Sequence, residues 1–448
     1  MANWAGDEFG GAKLGDGRLN QRLVKLATRF AEQPTASIPG ACGDWAETLG
    51  AYRFFEQASA DKRGLNWQSI LQPHIDCSEG RMAQHPVVLC LQDTTELDFS
   101  GQEIEGLGPL SYEAQRGMYL HPTYAVSPER EPLGVINAWM WARKAKAADG
   151  TRPGIRESTR WIEGYERVAE SAAKMPQTRL VYVADREADM VGLMQRAQEL
   201  GAPADWLIRA KHNRCLPQGG KLWAATLAEE PVGDIEFTLA SRHGQPERLV
   251  RQQLRVKATD IPAQDGSRVR ITCLIATEID PPAGCKAVEW RLLTNREVVS
   301  LEEAVQLIDW YRCRWEIEIL FHVLKNGCRV EAMQLGSQGK LELALAVFLV
   351  VSWRLARLIR LGRLHPEWSA DLLFTETEWA GAFVLNKKKP PKKAPTVREV
   401  VRLIAQLGGF LARKGDGEPG VKSLWIGIQC LRHFVFGVEH MREIVYVK

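Results

Sequence analysis

Apolar positions along the chain change period several times, and each change marks a different kind of element. Over residues 16–30, "DGRLNQRLVKLATRF", Leu19, Leu23, Leu26 and Phe30 recur at helical spacing. Arg18, Arg22, Lys25 and Arg29 repeat the spacing one position earlier, so the pattern predicts an amphipathic helix with a basic stripe beside its buried one. The first ~65 residues read as a helical unit on this periodicity. From about residue 80 the pattern becomes short continuous apolar runs. "HPVVLCLQDTTELDF" predicts a buried strand ending at Asp93, and "MYLHPTYAVS" and "LGVINAWMWAR" predict two further strands. A helix over "STRWIEGYERVAESAAKM" follows, then the strand "RLVYVADREADM" with Asp185 at its end, another helix and the strand "ADWLIRAKH". This order predicts a mixed α/β unit that places acids at strand ends, where such sheets present functional groups.

Residues ~215–290 alternate with period two between Gly, Pro and Asp turns, which predicts an antiparallel sheet inserted into that unit. A helix is expected over ~300–326 and more helices after "LHPEWSADLL", with a glycine break at "LGGF". The apolar run "LALAVFLVVSW" is too short to span a bilayer and reads as a buried helix.

The helix at ~300–326 contains "YRCRWEIEILFHVLK", with two glutamates of different placement. Taking about 100° per residue from Tyr311, Arg314 lies near −60°, Glu318 near −20° and Lys325 near −40°, while Glu316 points to about +140°. Four polar residues thus share a stripe that excludes Glu316. A solvated charged face has the same pattern, and so does a helix lining a site. Aromatic and apolar residues on the other faces favour the second. Segment 1–60 lies apart from the acids and core strands, and is expected to be removable without unfolding the rest.

Composition adds little and charge distribution adds more. The 448 residues suit two or three domains, and a net charge of +3 names no partner. From Asn386 to Lys448, however, thirteen Lys/Arg face five Asp/Glu, a footprint for a polyanion or an acidic partner. "NKKKPPKKAP" (386–395) also reads as an exposed linker. Nine cysteines without any CxxC pair argue for reduced thiols, a cytoplasmic location and no zinc site. Three converging carboxylates, Asp93, Asp185 and Glu318, need a cation, and hard oxygen donors favour Mg²⁺ or Mn²⁺.

The order Tyr311-x2-Arg314-x3-Glu318-x6-Lys325, after "LQDTTELDF" and "VADREADM", resembles the DDE cut-and-paste transposases of bacterial insertion sequences, in the group that includes the transposase of transposon Tn-five. "AYRF" (51–54), "IRAKH" (208–212), "EWRLLTN" (289–295) and "AQLGGF" (405–410) extend the resemblance over almost the whole chain. It implies an α/β, RNase H-like catalytic core (66–365) with the β insertion at about 215–290. It also implies an N-terminal helical DNA-binding domain (1–65) and a C-terminal helical dimerisation domain (366–448). Asp93, Asp185 and Glu318 would be catalytic acids and ligands of two Mg²⁺ ions, for end nicking, hairpin formation, hairpin opening and strand transfer. Tyr311, Arg314 and Lys325 would hold phosphates, Trp290 would stack a flipped base, and Trp315 would lie close by. Arg209, Lys211, His212, Arg18, Arg22, Lys25, Arg29 and Arg53 would meet double-stranded DNA. The implied assembly is a homodimer on transposon ends and target DNA, nucleoid-associated and away from membranes. A non-catalytic regulator and a stand-alone nuclease are the competing readings. Between its matching motifs the N-terminal unit departs from the group, which leaves the recognised end sequence open.

Overall fold

The computed structural model describes residues 4–59, 65–239, 247–263 and 265–446. The N-terminal helices are α1 (Trp4–Phe9), α2 (Gly17–Glu32), α3 (Ile38–Ala41), α4 (Trp45–Phe55) and α5 (Trp67–Met82). Strands β1 (Val87–Gln92), β2 (Thr95–Asp98), β3 (Gly108–Pro109), β4 (Arg116–Val126) and β5 (Pro132–Trp141) follow. Next come α6 (Thr159–Lys174), β6 (Arg179–Ala184), α7 (Val191–Glu199), β7 (Asp205–Arg209) and α8 (Leu222–Leu227). Four more strands, β8 (Gly233–Leu239), β9 (Arg248–Pro262), β10 (Arg268–Glu278) and β11 (Glu289–Thr294), lead to the final helices. These are α9 (Leu301–Arg312), α10 (Trp315–His322), α11 (Gln338–Leu364), α12 (Glu376–Leu385), α13 (Val397–Leu407) and α14 (Val421–Tyr446). The expected strand "DIEFTLAS" ends at Ala240 and Ser241, which lie outside the described residues.

The strands join one sheet in the order β2-β4-β1-β6-β7-β11-β10-β9-β8, with β3 and β5 on β4. β1, β6 and β7 are parallel and the remaining pairings antiparallel. The inserted strands therefore do not form a separate sheet. β11 pairs with β7 and prolongs the core sheet, because the open edge of β7 has backbone groups to satisfy.

Helices cover both faces of the parallel strands, which explains their continuous apolar sequence. Leu89, Leu91, Val181 and Val183 face a core shared with α9–α11, while Val88, Cys90, Leu180 and Tyr182 face α6 and α7. α6 can approach β1 because position 164 is glycine: a Cβ there would stand 1.9 Å from the Gln92 amide. The "LGGF" break has a similar cause, since a Cβ on Gly408 would stand 1.9 Å from the Ser423 carbonyl oxygen of α14.

The N-terminal unit, which the sequence pattern sets apart, is packed into the rest of the fold. Phe30 of α2 stacks on Phe348 of α11 with ring centroids 4.8 Å apart. Glu8 of α1 is buried against α5, accepting from Arg81 Nη1 at 2.6 Å and lying 2.6 Å from His74 Nδ1. Its apolar residues belong to the same core as α11 and the C-terminal helices. The run at 343–353 is the buried centre of α11 as expected, and among the described residues no helix is long and apolar enough to cross a membrane.

The predicted single helix over ~300–326 is also corrected. It is wound three ways: α9, then a tightened step at Cys313 and Arg314, then α10, then a π turn over Val323–Gly327. The step is defined by i→i+3 bonds, Arg314 N to the Tyr311 oxygen (3.0 Å) and Ile317 N to the Arg314 oxygen (3.1 Å). The step has no Gly or Pro, and it accompanies the reach of Arg314 to Asp93, one residue beyond β1. Such irregular turns recur at functional sites.

Candidate active site and nucleic-acid interface

The parallel register of β1 and β6 sets Gln92 beside Ala184. Asp93 and Asp185, one residue further on, leave the two strands at the same level. Asp93 accepts from the Thr94 backbone N–H at 2.8 Å, and Thr94 Oγ1 lies 2.7 Å from His121 Nδ1. Burial pushes His121 down to about 3, so this support is a neutral imidazole. Asp185 accepts from the Glu187 N–H at 2.7 Å and caps the short turn Arg186–Ala188.

Glu318 arrives from α10, and Arg314 ties it to the first strand. The Arg314 guanidinium Nη1 donates to Asp93 Oδ2 at 2.5 Å and to Glu318 Oε1 at 3.3 Å. Burial pushes the Asp93 carboxyl up to about 7, opposed by Arg314 and reinforced by Asp185 and Glu318. Tyr311 is buried in the same field, its hydroxyl raised first by burial and then by Asp185, against Arg314 and Arg209. The Arg314 Nε is buried without a hydrogen-bond partner among the described residues.

The three acids are a set of hard oxygen donors around a shared excess of negative charge, and in kind they fit a divalent ion. Among the described residues no group of three or more His, Cys, Asp or Glu stands close enough to be a ready-made metal cluster. Arg314 currently supplies the positive charge.

The other glutamate of the helix has a different partner set. Glu316 is buried and accepts two hydrogen bonds from Arg360, one of them 2.7 Å from Nε, with Arg130 at 3.8 Å. It joins α10 to α11 and does not meet the strand-end acids. Lys325, on the π turn, pairs at 3.9 Å with Glu331, whose Oε1 accepts from the Asp98 N–H of β2. Among the described residues it makes no ion pair with the three acids.

Trp290 of β11 is half-buried, its ring edge-on to Tyr311 at 6.1 Å, while Trp315 is 55% exposed with the Arg314 guanidinium 5.2 Å from its ring. Arg209 is half-buried at the end of β7, and Lys211 and His212 are exposed beyond it. Their backbone N–H groups donate to Asp189 Oδ2 at 2.6 and 2.8 Å, and Asp189 also pairs with Arg214 at 2.6 Å. The place of Asp189 in "DREAD", four residues after Asp185, is the sequence signal for this clamp.

The basic stripe of α2 lines a cleft of about 440 Å³ against α4. Arg18 and Arg22 have no ion-pair partner among the described residues, and Arg22 lies over Gly50. Lys25 and Arg29 do not point freely at solvent: Glu47 holds them at 2.5 and 3.0 Å. These hydrogen bonds, Arg29 first, hold the Glu47 carboxyl down at about 2. Arg53 is exposed near the end of α4. Glu47 is 18 residues from Arg29, so helical spacing carried no sign of it.

Three family models match in chain order: "Transposase DNA-binding" over residues 1–60, "Transposase DDE domain" over 159–353 and "Transposase Tn5 dimerisation domain" over 350–446. Asp185 and Glu318 fall inside the second match, and Asp93 lies outside it. A cryo-EM structure of the piggyBac transposase synaptic complex with hairpin DNA is similar at TM-score 0.39 and 7% identity, over 92% of this chain and 79% of that one. A likeness so distant carries no weight. With the three matches in this order, the chain belongs to the Tn5-like DDE transposases, nuclease and strand-transfer enzymes of DNA transposition that use divalent metal.

Proposed function

We propose that Asp93, Asp185 and Glu318 are the catalytic acids of a cut-and-paste cycle: end nicking, hairpin formation, hairpin opening and strand transfer. The observation that carries this reading is the meeting of two strand ends in register with a helix, through Arg314 on Asp93 and Glu318. Each step breaks one P–O bond as another oxygen attacks the phosphorus, so one set of charges serves all four. Bound Mg²⁺ or Mn²⁺, two ions on the three carboxylates, would activate the attacking oxygen and stabilise the leaving one.

The chain's own residues position the DNA. Arg314 and Tyr311 face the scissile phosphate, and Lys325 holds a flanking one. Trp290 offers a platform for a base turned out of the stack, with Trp315 exposed beside it. Arg209, Lys211 and His212 meet the end duplex. Arg18, Arg22, Lys25, Arg29 and Arg53 belong to a recognition unit over 1–65, where phosphate contacts set register and base edges set sequence. The catalytic unit spans 66–365, and 366–448 pairs two copies. Phe436 and Met441, exposed on α14, and Val384 on α12 support a homodimer there.

The test is incubation with Mg²⁺ and DNA carrying inverted-repeat ends. Paired, end-specific cuts followed by joining to a second duplex are expected. Unpaired nicking without end preference, or binding without cutting, would overturn the reading.

A further inference from the structure

The segment joining β5 to α6, residues 142–158, has no role in the functions assigned above. β5 is antiparallel to β4, which is antiparallel to β1, so β5 ends on the sheet edge that carries Asp93. The segment therefore emerges beside the acids.

Side chains build the segment into a defined surface. Trp141 stacks on Tyr119 at 5.4 Å, and the Arg143 guanidinium lies 4.2 Å from the Tyr119 ring. Arg143 and the Trp141 indole N–H both donate to Glu157. Arg152 folds back to the Lys144 carbonyl at 2.7 Å and pairs with Glu113. A cleft of about 660 Å³ runs over this platform. At its rim Lys144 and Arg156 are exposed and without an ion-pair partner among the described residues. Between Gly154 and Arg156, in "RPGIRE", Ile155 is 63% exposed.

Two unpaired cations beside an apolar side chain, on a braced turn, suit a polyanion whose interior is apolar. Duplex DNA has that construction, with phosphates outside and stacked bases within. Proteins that bend it commonly push one apolar side chain between base pairs while basic neighbours hold the flanking phosphates. A protein face that met only other proteins would gain little from free cations around its one exposed isoleucine.

We propose that residues 142–158 hold the target duplex during strand transfer, with Lys144 and Arg156 on its phosphates and Ile155 wedged into a base step. The proposal rests on the assignment of strand transfer made above. Bending at the wedge exposes the target phosphate to the acids and favours easily unstacked steps, so this turn contributes to the choice of insertion site.

The full chain is loaded with pre-cut end DNA and given a labelled duplex that carries no end sequence. Binding is followed by anisotropy, and joining and cleavage of uncut ends are read on gels. Lys144→Ala/Arg156→Ala should weaken duplex capture and reduce the log–log salt slope by about 1.8, at about 0.9 per phosphate contact. Ile155→Ala should leave that slope alone, lower joining by about tenfold and flatten the insertion-site distribution. Both variants should cut ends near the wild-type rate. Unchanged capture, joining and insertion profile would overturn the proposal. So would lost end cleavage with normal joining of pre-cut ends, which would assign the surface to DNA flanking the transposon. If the wild type joined nothing, the strand-transfer assignment would fail, whereas the capture comparison would still be read.

Discussion

Replacing each glutamate of α10 in turn should separate folding from chemistry. Glu316 has a side chain 3% exposed, hydrogen-bonded twice to Arg360, whose side chain is itself only 14% exposed. Glu316→Ala leaves that guanidinium buried without its counter-charge, a loss of about 3–5 kcal/mol. Against a total stability of roughly 5–15 kcal/mol, a large part of the folded margin disappears. Glu318 is 43% exposed and 3.3 Å from Arg314, so its removal costs about 1 kcal/mol or less. Urea melts of both variants, with single-turnover end cleavage scaled to the folded fraction, give the comparison. Glu316→Ala should melt far earlier while its folded molecules still cut. Glu318→Ala should melt near the wild type and cut nothing. Glu316→Leu/Arg360→Met should regain most of the lost stability, since both charges leave together. A Glu316→Ala protein as stable as wild type, or a folded Glu318→Ala protein that cuts, would refute the reasoning.

Glu47→Gln should release Lys25, while Arg29 keeps Glu32 at 3.3 Å, and steepen the salt dependence of DNA binding by about 0.9 in log–log slope, an effect absent if Lys25 already reaches phosphate. The same carboxyl, held at about 2, is charged in the folded protein where the unfolded chain would already take up a proton. Its stabilising contribution is therefore complete above about 4.5 and is lost as pH falls from there towards 2. Acid titration should show Glu47→Gln lacking that part of the decline. Arg314→Gln vacates Asp93 Oδ2, so at pH 8 calorimetry should find tighter Mn²⁺ binding despite impaired cleavage; weaker binding would make Arg314 a support of the ion site. Removing residues 1–60 strips Phe30 from Phe348 and Glu8 from Arg81, so the remainder should aggregate or lose its cooperative melt.

The legible parts of this molecule were those with local causes. Continuous apolar runs located the strands around Asp93 and Asp185, and period 3.6 located the helices of both ends. Motif spacing singled out Glu318 over Glu316. Features formed by distant residues left no such trace. Glu316 meets Arg360 44 residues later, and Arg314 meets Asp93 221 residues earlier. That second contact accompanies the tightened step at Cys313 and Arg314, in a sequence with no residue that breaks helices. The insertion read correctly as antiparallel strands, but edge pairing between β7 and β11 is made of backbone bonds that side-chain pattern does not encode. The core that segment 1–60 shares with α11 was hidden for a related reason, because amphipathic helices announce an apolar face and not what covers it.

The stacking of Phe30 on Phe348 also makes the protein a ruler. With α2 fixed through the core to α11, and α11 to the helix of Glu318 through Arg360, the span from α2 to Glu318 within one copy is a constant of the fold. Each base pair advances the duplex about 3.4 Å. A base pair inserted in the DNA between recognised sequence and cut would therefore leave the protein's span unchanged. With the roles proposed above, and one copy both recognising and cutting an end, the break would stay at a fixed distance from the recognised sequence and the nucleotide at the cut would differ. The position of the cut would then be measured by packing between two helices as much as it is read from bases.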